Sequence, residues 1–438
     1  MGVKSDTFIH FRLVYRKGQP FYVALMAAIA AFGCITSAHG TTYQARSGSE
    51  AQQYLNQAQP GDSVVLQNGE YENVQLTITT AGATQRPIVF SAAQGGKVKF
   101  TGNSGIRIAA DYIILDGFTF SKVPQMNDTV NEVILLDSAN YCEVRHSAFF
   151  TCGHHKWIHI ISVTNGSTNN QVHHNYLENI VGQGIGIDGG AGNTDNHIHH
   201  NWINGTQEDG LFNGQEPIQV GQGKQHYEHE HRTLVEYNLI ENMRGDADRE
   251  LISNKSKGNT FRYNIFIRNE PDKELVLRGG NDCIVEYNYM DRGSIRAYGT
   301  GHIIRENYLQ NNVLGIRLLG GDGDKYAETY DCVIEGNTIV NSMEQGIRIG
   351  DRPAFIHDII IRNNKIQTNN GVMYYQDTDD LKNIQWIDNV GEGKATLSTS
   401  NIKAGVRQAP INTPRPSPLS YQEVGPAWLP PTEAIRQD

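Results

Sequence analysis

Apolar and polar residues alternate in short runs along most of this chain, and each run ends in a turn rich in Asn and Gly. A period of two over so few residues predicts short strands rather than helices. One exception comes early. In SGSEAQQYLNQAQPGD, Ala51, Leu55 and Ala58 fall on a helical stripe, Ser47 or Ser49 can cap its start, and Pro60-Gly61 stops it. The strand SVVLQNGEY follows, entering a turn at Asn68-Gly69.

From there one unit keeps returning. An apolar strand leads into an asparagine at Asn175, Asn201, Asn238, Asn264, Asn288, Asn307, Asn337, Asn364 and Asn389. Most of these steps fall in the mid-twenties; the step from Asn201 to Asn238 is the longest and that from Asn288 to Asn307 the shortest, as a loop insertion and a tightened turn would make them. A second ladder runs through Arg107, Gln219, Arg278, Arg296, Arg317 and Arg348. A repeat of about 25 residues is too short for a propeller blade, and no leucine framework marks a leucine-rich repeat. The prediction is an all-β, right-handed parallel β-helix with a short N-terminal capping helix. Its asparagines should form a stacked amide ladder at one turn, equivalent residues lying about 4.8 Å apart. The repeat fades near Lys403, and a proline-rich segment anchored by Trp428 should strap across the solenoid.

Export comes from the N-terminus. Basic residues at Lys4, Arg12, Arg16 and Lys17 precede an apolar run from Phe21 to Phe32 and small residues up to Gly40. This reads as a signal peptide over residues 1–40, then a β-helix domain over 41–405 and a strap over 406–438. The expected location is secreted or periplasmic, with lipid attachment at Cys34 the less favoured route and no transmembrane span, the run being too short. Cys142, Cys283 and Cys332 each precede a recurring turn by five residues and read as equivalent inward-facing core sites. Net charge of −10 argues against a nucleic-acid partner. The chain is expected to work as a monomer.

Candidate chemistry concentrates between Asp246 and Gly280. Asp248 and Glu250, two apart in a strand, share a face. With Asn213 about one coil earlier they form an oxygen set suited to Ca²⁺; a solvated acidic turn is the alternative. Lys255 and Arg278 stand close to one coil apart in sequence, and either flank each other on neighbouring rungs or simply keep the surface soluble. Taking a proton from beside a sugar carboxylate requires that carboxylate's charge to be neutralised, which a cation does. Histidines at His154-His155, His197 with His199-His200, and His226 to His231 sit on separate coils without a carboxylate at zinc spacing, and read as structural.

The order Asn213, Asp248-x-Glu250, Asn254-Lys255-Ser256, Arg278-Gly279-Gly280-Asn281 and Ser294-Ile295-Arg296 resembles polysaccharide lyase family 6, the alginate lyases and chondroitinase B. PGDSVVLQNGEY and SYQEVGPAW extend the resemblance over nearly the whole chain. The resemblance implies β-elimination on an anionic uronic-acid polymer, alginate first and chondroitin or dermatan sulfate second. It makes Asn213, Asp248 and Glu250 the calcium ligands, Lys255 the base at C5, Arg278 the acid at the leaving oxygen, and Arg296 a grip on a substrate carboxylate. Arg317 is read as a further subsite because it falls in the column of Arg278 and Arg296. Three positions depart from the pattern: Asp248 stands where Glu is usual, Gly279 where His follows the catalytic Arg, and Gln219 where Arg is common in a substrate-contacting unit. Two rivals remain, a β-helix glycoside hydrolase using paired carboxylates and a non-catalytic solenoid that only binds acidic glycans.

Overall fold

The computed structural model describes residues 40–123, 132–153, 158–206, 214–244, 249–321, 326–350, 356–369, 371–376, 381–393, 402, 405–411, 416 and 420–429. The expected signal peptide therefore lies outside the described residues, apart from Gly40. Short strands coil into a right-handed parallel β-helix of three sheets, with 14, 12 and 14 described strands. Sheet 1 begins at Thr42–Ala45, sheet 2 at Gly69–Glu72, and sheet 3, of 12 strands, at Gln75–Ile78. Every named pairing between these strands is parallel, each strand meeting its equivalent one coil away. The inward positions stack Ile, Val, Leu and Phe into one core that runs the length of the solenoid.

The predicted helix is Gly48–Gln57, its first turn capped by the Ser47 side chain, which accepts from the Glu50 N–H at 3.1 Å. Ala51, Leu55 and Ala58 are buried against the first coil. The helix is not the first element, as the hydrophobic pattern implied. Thr42–Ala45 precedes it and heads sheet 1, too short and too exposed, with Ala45 alone buried, to show an alternating pattern.

The asparagine ladder forms where sheet 1 turns into sheet 2. From Asn175 to Asn389 each buried amide donates through Nδ2 to the next Oδ1 at 2.9–3.1 Å. The same oxygens accept the backbone N–H of the preceding rung's asparagine, as at Asn238 and Asn264. A buried turn would otherwise strand its peptide groups, so the ladder supplies partners that a strand cannot. The residue before each asparagine has positive φ, among them His174 at 52°, His200 at 52°, Tyr237 at 54° and Tyr263 at 54°. Asn165, Asn169 and similar residues do the same at other corners, alongside glycines such as Gly166 and Gly192.

A second column holds the turn from sheet 3 into sheet 1. Cys142, Cys283 and Cys332 occupy it, fully buried, and their thiols face the carbonyls of Ala110, Ser256 and Gly299 at 3.2, 3.5 and 3.5 Å. Burial pushes each thiol up to about 12, so these are inert core groups. His302 belongs to the same column, accepting the Cys283 N–H at 3.2 Å and facing the Tyr298 carbonyl with its other nitrogen at 2.9 Å.

The C-terminal segment lies over the outer face of sheet 2. Val424, Tyr421, Trp428 and Leu429 cover Ala148, Tyr176, Trp202, Leu239 and Tyr289. Trp428 packs where a side chain on Gly95 or Gly96 would be, and donates from its indole to the His146 carbonyl at 2.8 Å. The sheet itself continues through Val406–Gln408 before the strap begins.

Candidate active site

The chemistry-bearing residues project from the outer face of sheet 3. Lys255 closes the strand Glu250–Lys255, and Arg278 lies one residue from the end of the neighbouring strand Glu274–Gly279. A register shift between Asn254 and Lys255 sets Lys255 against Gly279 rather than Arg278. Asn254 holds that irregular end in place. Its buried amide donates to the Gly279 carbonyl at 3.1 Å and the Ser256 carbonyl at 2.9 Å, and accepts from Asn259 at 2.8 Å.

Beneath the cationic side chains lie three buried carboxylates. Glu216 Oε1 is 3.9 Å from Lys255 Nζ, and Glu216 also raises the Arg278 pKa, so it faces both groups. Glu250 Oε1 is 3.4 Å from Arg278 Nη1 and 3.2 Å from Arg296 Nη2. Glu274 pairs with Arg317 and lies 3.1 Å from Arg296 Nε, close enough for charge attraction though off line for a hydrogen bond. Burial works against the charge on Arg278, but Glu250 foremost, then Tyr326, Tyr227 and Glu216, raises its pKa above the ordinary arginine value. Burial likewise opposes the charge on Arg296, whose pKa is raised by Glu274 and then Glu250.

The arginine column needs one correction. Arg296, Arg317 and Arg348 are successive register partners, and the position continues back through Val276 and Ser253 to Gln219. Arg278 sits two residues beyond Val276, on the same face but in another column, because the sequence repeat Leu-Arg-Gly resembles Ile-Arg-x-Gly without sharing its register. Gln219 is buried; its Nε2 donates to the Gly221 carbonyl at 2.9 Å and its Oε1 accepts from Gln183. Gln183 also donates to Glu216 at 2.7 Å, which ties Gln219 to the carboxylate beside Lys255.

Gly279 is more than an absent histidine. A Cβ there would come within 2.2 Å of the Tyr227 ring, so Tyr227 fills the space a larger residue would need. On the far side Arg278 stacks 5.7 Å from the Tyr326 centroid, and Tyr326 stacks on Tyr298 at 4.3 Å. A cavity of about 440 Å³ lined by Tyr227, Tyr326, Asn281 and Lys224 opens beside them. His159 lies over Gly186, fully buried, and burial lowers its pKa to about 4, with Lys255 contributing.

Of the expected metal ligands, Asn213 and Asp248 lie outside the described residues. Glu250 is described. The sequence reading overlooked Glu216, Glu274, Gln183, Tyr227 and Tyr326. Two of these left a trace: Glu250-Leu251 and Glu274-Leu275 open successive strands alike, and Glu216 stands two residues before the strand of Gln219.

The family model of chondroitinase B matches residues 45–408. The chain belongs to the chondroitinase B family. This member of polysaccharide lyase family 6 shares its fold with solved enzymes of that family. A variant of the PL6 family alginate lyase AlyGC superposes with a TM-score of 0.78 at 25% identity, over 90% of this chain and 59% of the other. A mannuronic-acid-specific family 6 lyase from human gut microbiota superposes with a TM-score of 0.77 at 22% identity, over 91% and 98% of the two chains. The family 6 lyase from Pseudopedobacter saltans gives 0.68 at 20% identity over 88% and 99%. The chondroitinase B family member thus spans about three-fifths of the length of AlyGC. No curated protein matches it. No helix among its described residues is long and apolar enough to cross a membrane.

Proposed function

We propose that this protein is an exported lyase that cleaves alginate by β-elimination and leaves a 4,5-unsaturated uronate at the new chain end. The observation that carries the reading is the placement of Lys255 and Arg278 on adjacent strand ends of one sheet, with Glu216 facing both. Lys255 takes the C5 proton, and Arg278 delivers a proton to the leaving glycosidic oxygen, so that the C4–O bond breaks as the C4–C5 double bond forms. Arg296 and Arg317 present planar guanidinium forks for uronate carboxylates one and two rungs away. The superposed family 6 enzymes named for alginate or mannuronic acid support that substrate over a sulfated one.

Calcium is part of the same proposal. Glu250 is a buried carboxylate beside the Lys/Arg pair, a hard oxygen donor of the kind Ca²⁺ takes. With Asn213 and Asp248 it would hold the ion, which when bound supplies positive charge to a substrate carboxylate. Chondroitin and dermatan sulfate remain the second substrate class.

A panel of purified alginate, polymannuronate, polyguluronate, chondroitin sulfate and dermatan sulfate, followed by the ultraviolet absorbance of unsaturated uronate with and without chelator, tests the reading. Reducing ends that appear without that absorbance would mean hydrolysis. Binding of alginate with no depolymerisation would favour the non-catalytic solenoid.

A further inference from the structure

The histidines that look scattered in sequence are brought together by the coil. His173 and His199 are register partners in sheet 1, their rings parallel within 4° and 4.7 Å apart. His174 and His200 follow them at the turn, with φ of 52° each, and stack within 3° at 4.9 Å. That left-handed turn folds each second imidazole back towards the first. Nδ1 of His173 lies 2.8 Å from Nδ1 of His174, and Nδ1 of His199 lies 2.8 Å from Nδ1 of His200.

The outer nitrogens decide the tautomers. His173 Nε2 faces the Glu143 carboxylate at 3.6 Å, and His199 Nε2 faces the Gln171 side-chain oxygen at 3.3 Å. The Gln171 oxygen accepts an N–H from Nε2 of His199 and the Glu143 charge favours an N–H on Nε2 of His173, which leaves the Nδ1 lone pairs of both rings on the cluster side. This is the arrangement that orients histidine ligands in metal sites, with the far nitrogen held by a carboxylate or amide oxygen. Without a metal, each of the two close Nδ1 contacts is a hydrogen bond, donated by His174 to His173 and by His200 to His199.

We propose that His173, His174 and His199 form a binding site for a late first-row divalent metal of the Zn²⁺ class, separate from the catalytic sheet. One ligand nitrogen from each of the three lies within 4.8 Å of the others. Bonds of about 2.0–2.1 Å at a tetrahedral angle put ligand nitrogens roughly 3.3 Å apart, so the close pair opens slightly and the third ring moves in. To ligate through Nδ1, His174 shifts its hydrogen to Nε2, which frees that lone pair.

The site's position suggests a structural task. The His200 carbonyl accepts the Gly425 N–H at 2.9 Å, and the carbonyl of nearby His146 receives the Trp428 indole. A metal here cross-links two coils where the C-terminal strap docks on them. All-nitrogen ligation distinguishes it from the oxygen set proposed for calcium.

The test is a calorimetric titration of Zn²⁺ into the chelator-stripped full chain in excess Ca²⁺, which keeps oxygen-donor sites filled. One site of micromolar or tighter affinity is expected. The His173→Ala, His199→Ala double variant is expected to weaken it at least 100-fold, Glu143→Gln about 10-fold, and His226→Ala not at all. Far-UV circular dichroism checks that each variant is folded. Should the double variant fail to fold, His174→Ala with the visible spectrum of bound Co²⁺ in the wild type takes its place. Tight Zn²⁺ binding that survives the loss of these histidines, or wild-type binding no tighter than millimolar, would overturn the site.

Discussion

Glu250 and Glu274 are register partners on neighbouring strands, and between them they contact three arginines, Arg278, Arg296 and Arg317. Arg296 bridges the pair. The cationic face that would grip an acidic glycan is therefore built on buried anions, which fix the guanidinium groups and offset the mutual repulsion that would otherwise spread them.

Glu274→Gln tests that support. The side chain is 2% exposed, against 19% for Arg296 and 10% for Arg317. Removing its charge takes from Arg317 the carboxylate it pairs with and from Arg296 one of its two, a loss of about 3–5 kcal/mol for a broken buried pair. A lower thermal midpoint with a raised KM for alginate is expected. An unchanged midpoint would mean that the arginines are held by other groups.

Gly279 and Tyr227 should be coupled. Gly279→Ala drives a methyl into the Tyr227 ring, an overpacking cost of about 1–3 kcal/mol, and Tyr227→Ala in the same chain should remove most of it. Denaturant unfolding of the four members of the cycle measures the interaction energy. Additive effects would show that the ring is free to move away.

Cutting any rung of the ladder should cost stability. Asn264→Ala removes the acceptor of the Asn238 N–H and amide, and the donor to the Val235 carbonyl and to Asn288. Each buried polar group left without a partner costs about 1–3 kcal/mol, so a loss of at least about 2 kcal/mol in chemical denaturation is expected. Asn389→Ala, at the end of the row, removes the acceptor of the Asn364 N–H and amide and the donor to the Ile361 carbonyl, and should cost a similar amount.

Stability should fall with acidification below neutral. Burial lowers the His302 pKa from 6.5 to about 4, the Tyr298 carbonyl opposing. Between those values the unfolded chain takes up a proton that the folded one refuses. The contribution is fully present above pH 6.5 and is lost as pH falls to about 4, worth up to about 3 kcal/mol. Urea unfolding at pH 7 and pH 5 reads it, and His302→Asn should shrink the difference without abolishing it, because burial holds His159, His174 and His199 low in the same way.

The solenoid and its asparagine ladder were legible in sequence because stacking forces the same residue into the same place on every coil. Asn175 and Asn389 could be placed on one line without knowing any contact. The site was only partly legible. Lys255 and Arg278 announced themselves by spacing, but neither the register shift at Lys255, which Asn254 holds in place, nor the displaced column of Arg278 leaves a periodic trace. Tyr227 arrives from an insertion, and its role appears only in the space above Gly279. His173 drew no notice in the sequence, and only the coil length makes it a neighbour of His199.

The most direct test of the central claim is the ultraviolet absorbance of alginate digested by wild type, Lys255→Ala and Arg278→Ala, with alginate affinity measured in parallel. The expected result is unsaturated product from the wild type, turnover reduced about 10²–10⁴-fold in each variant, and affinity largely kept. Wild-type rates in Lys255→Ala, or cleavage without unsaturated ends, would contradict the account.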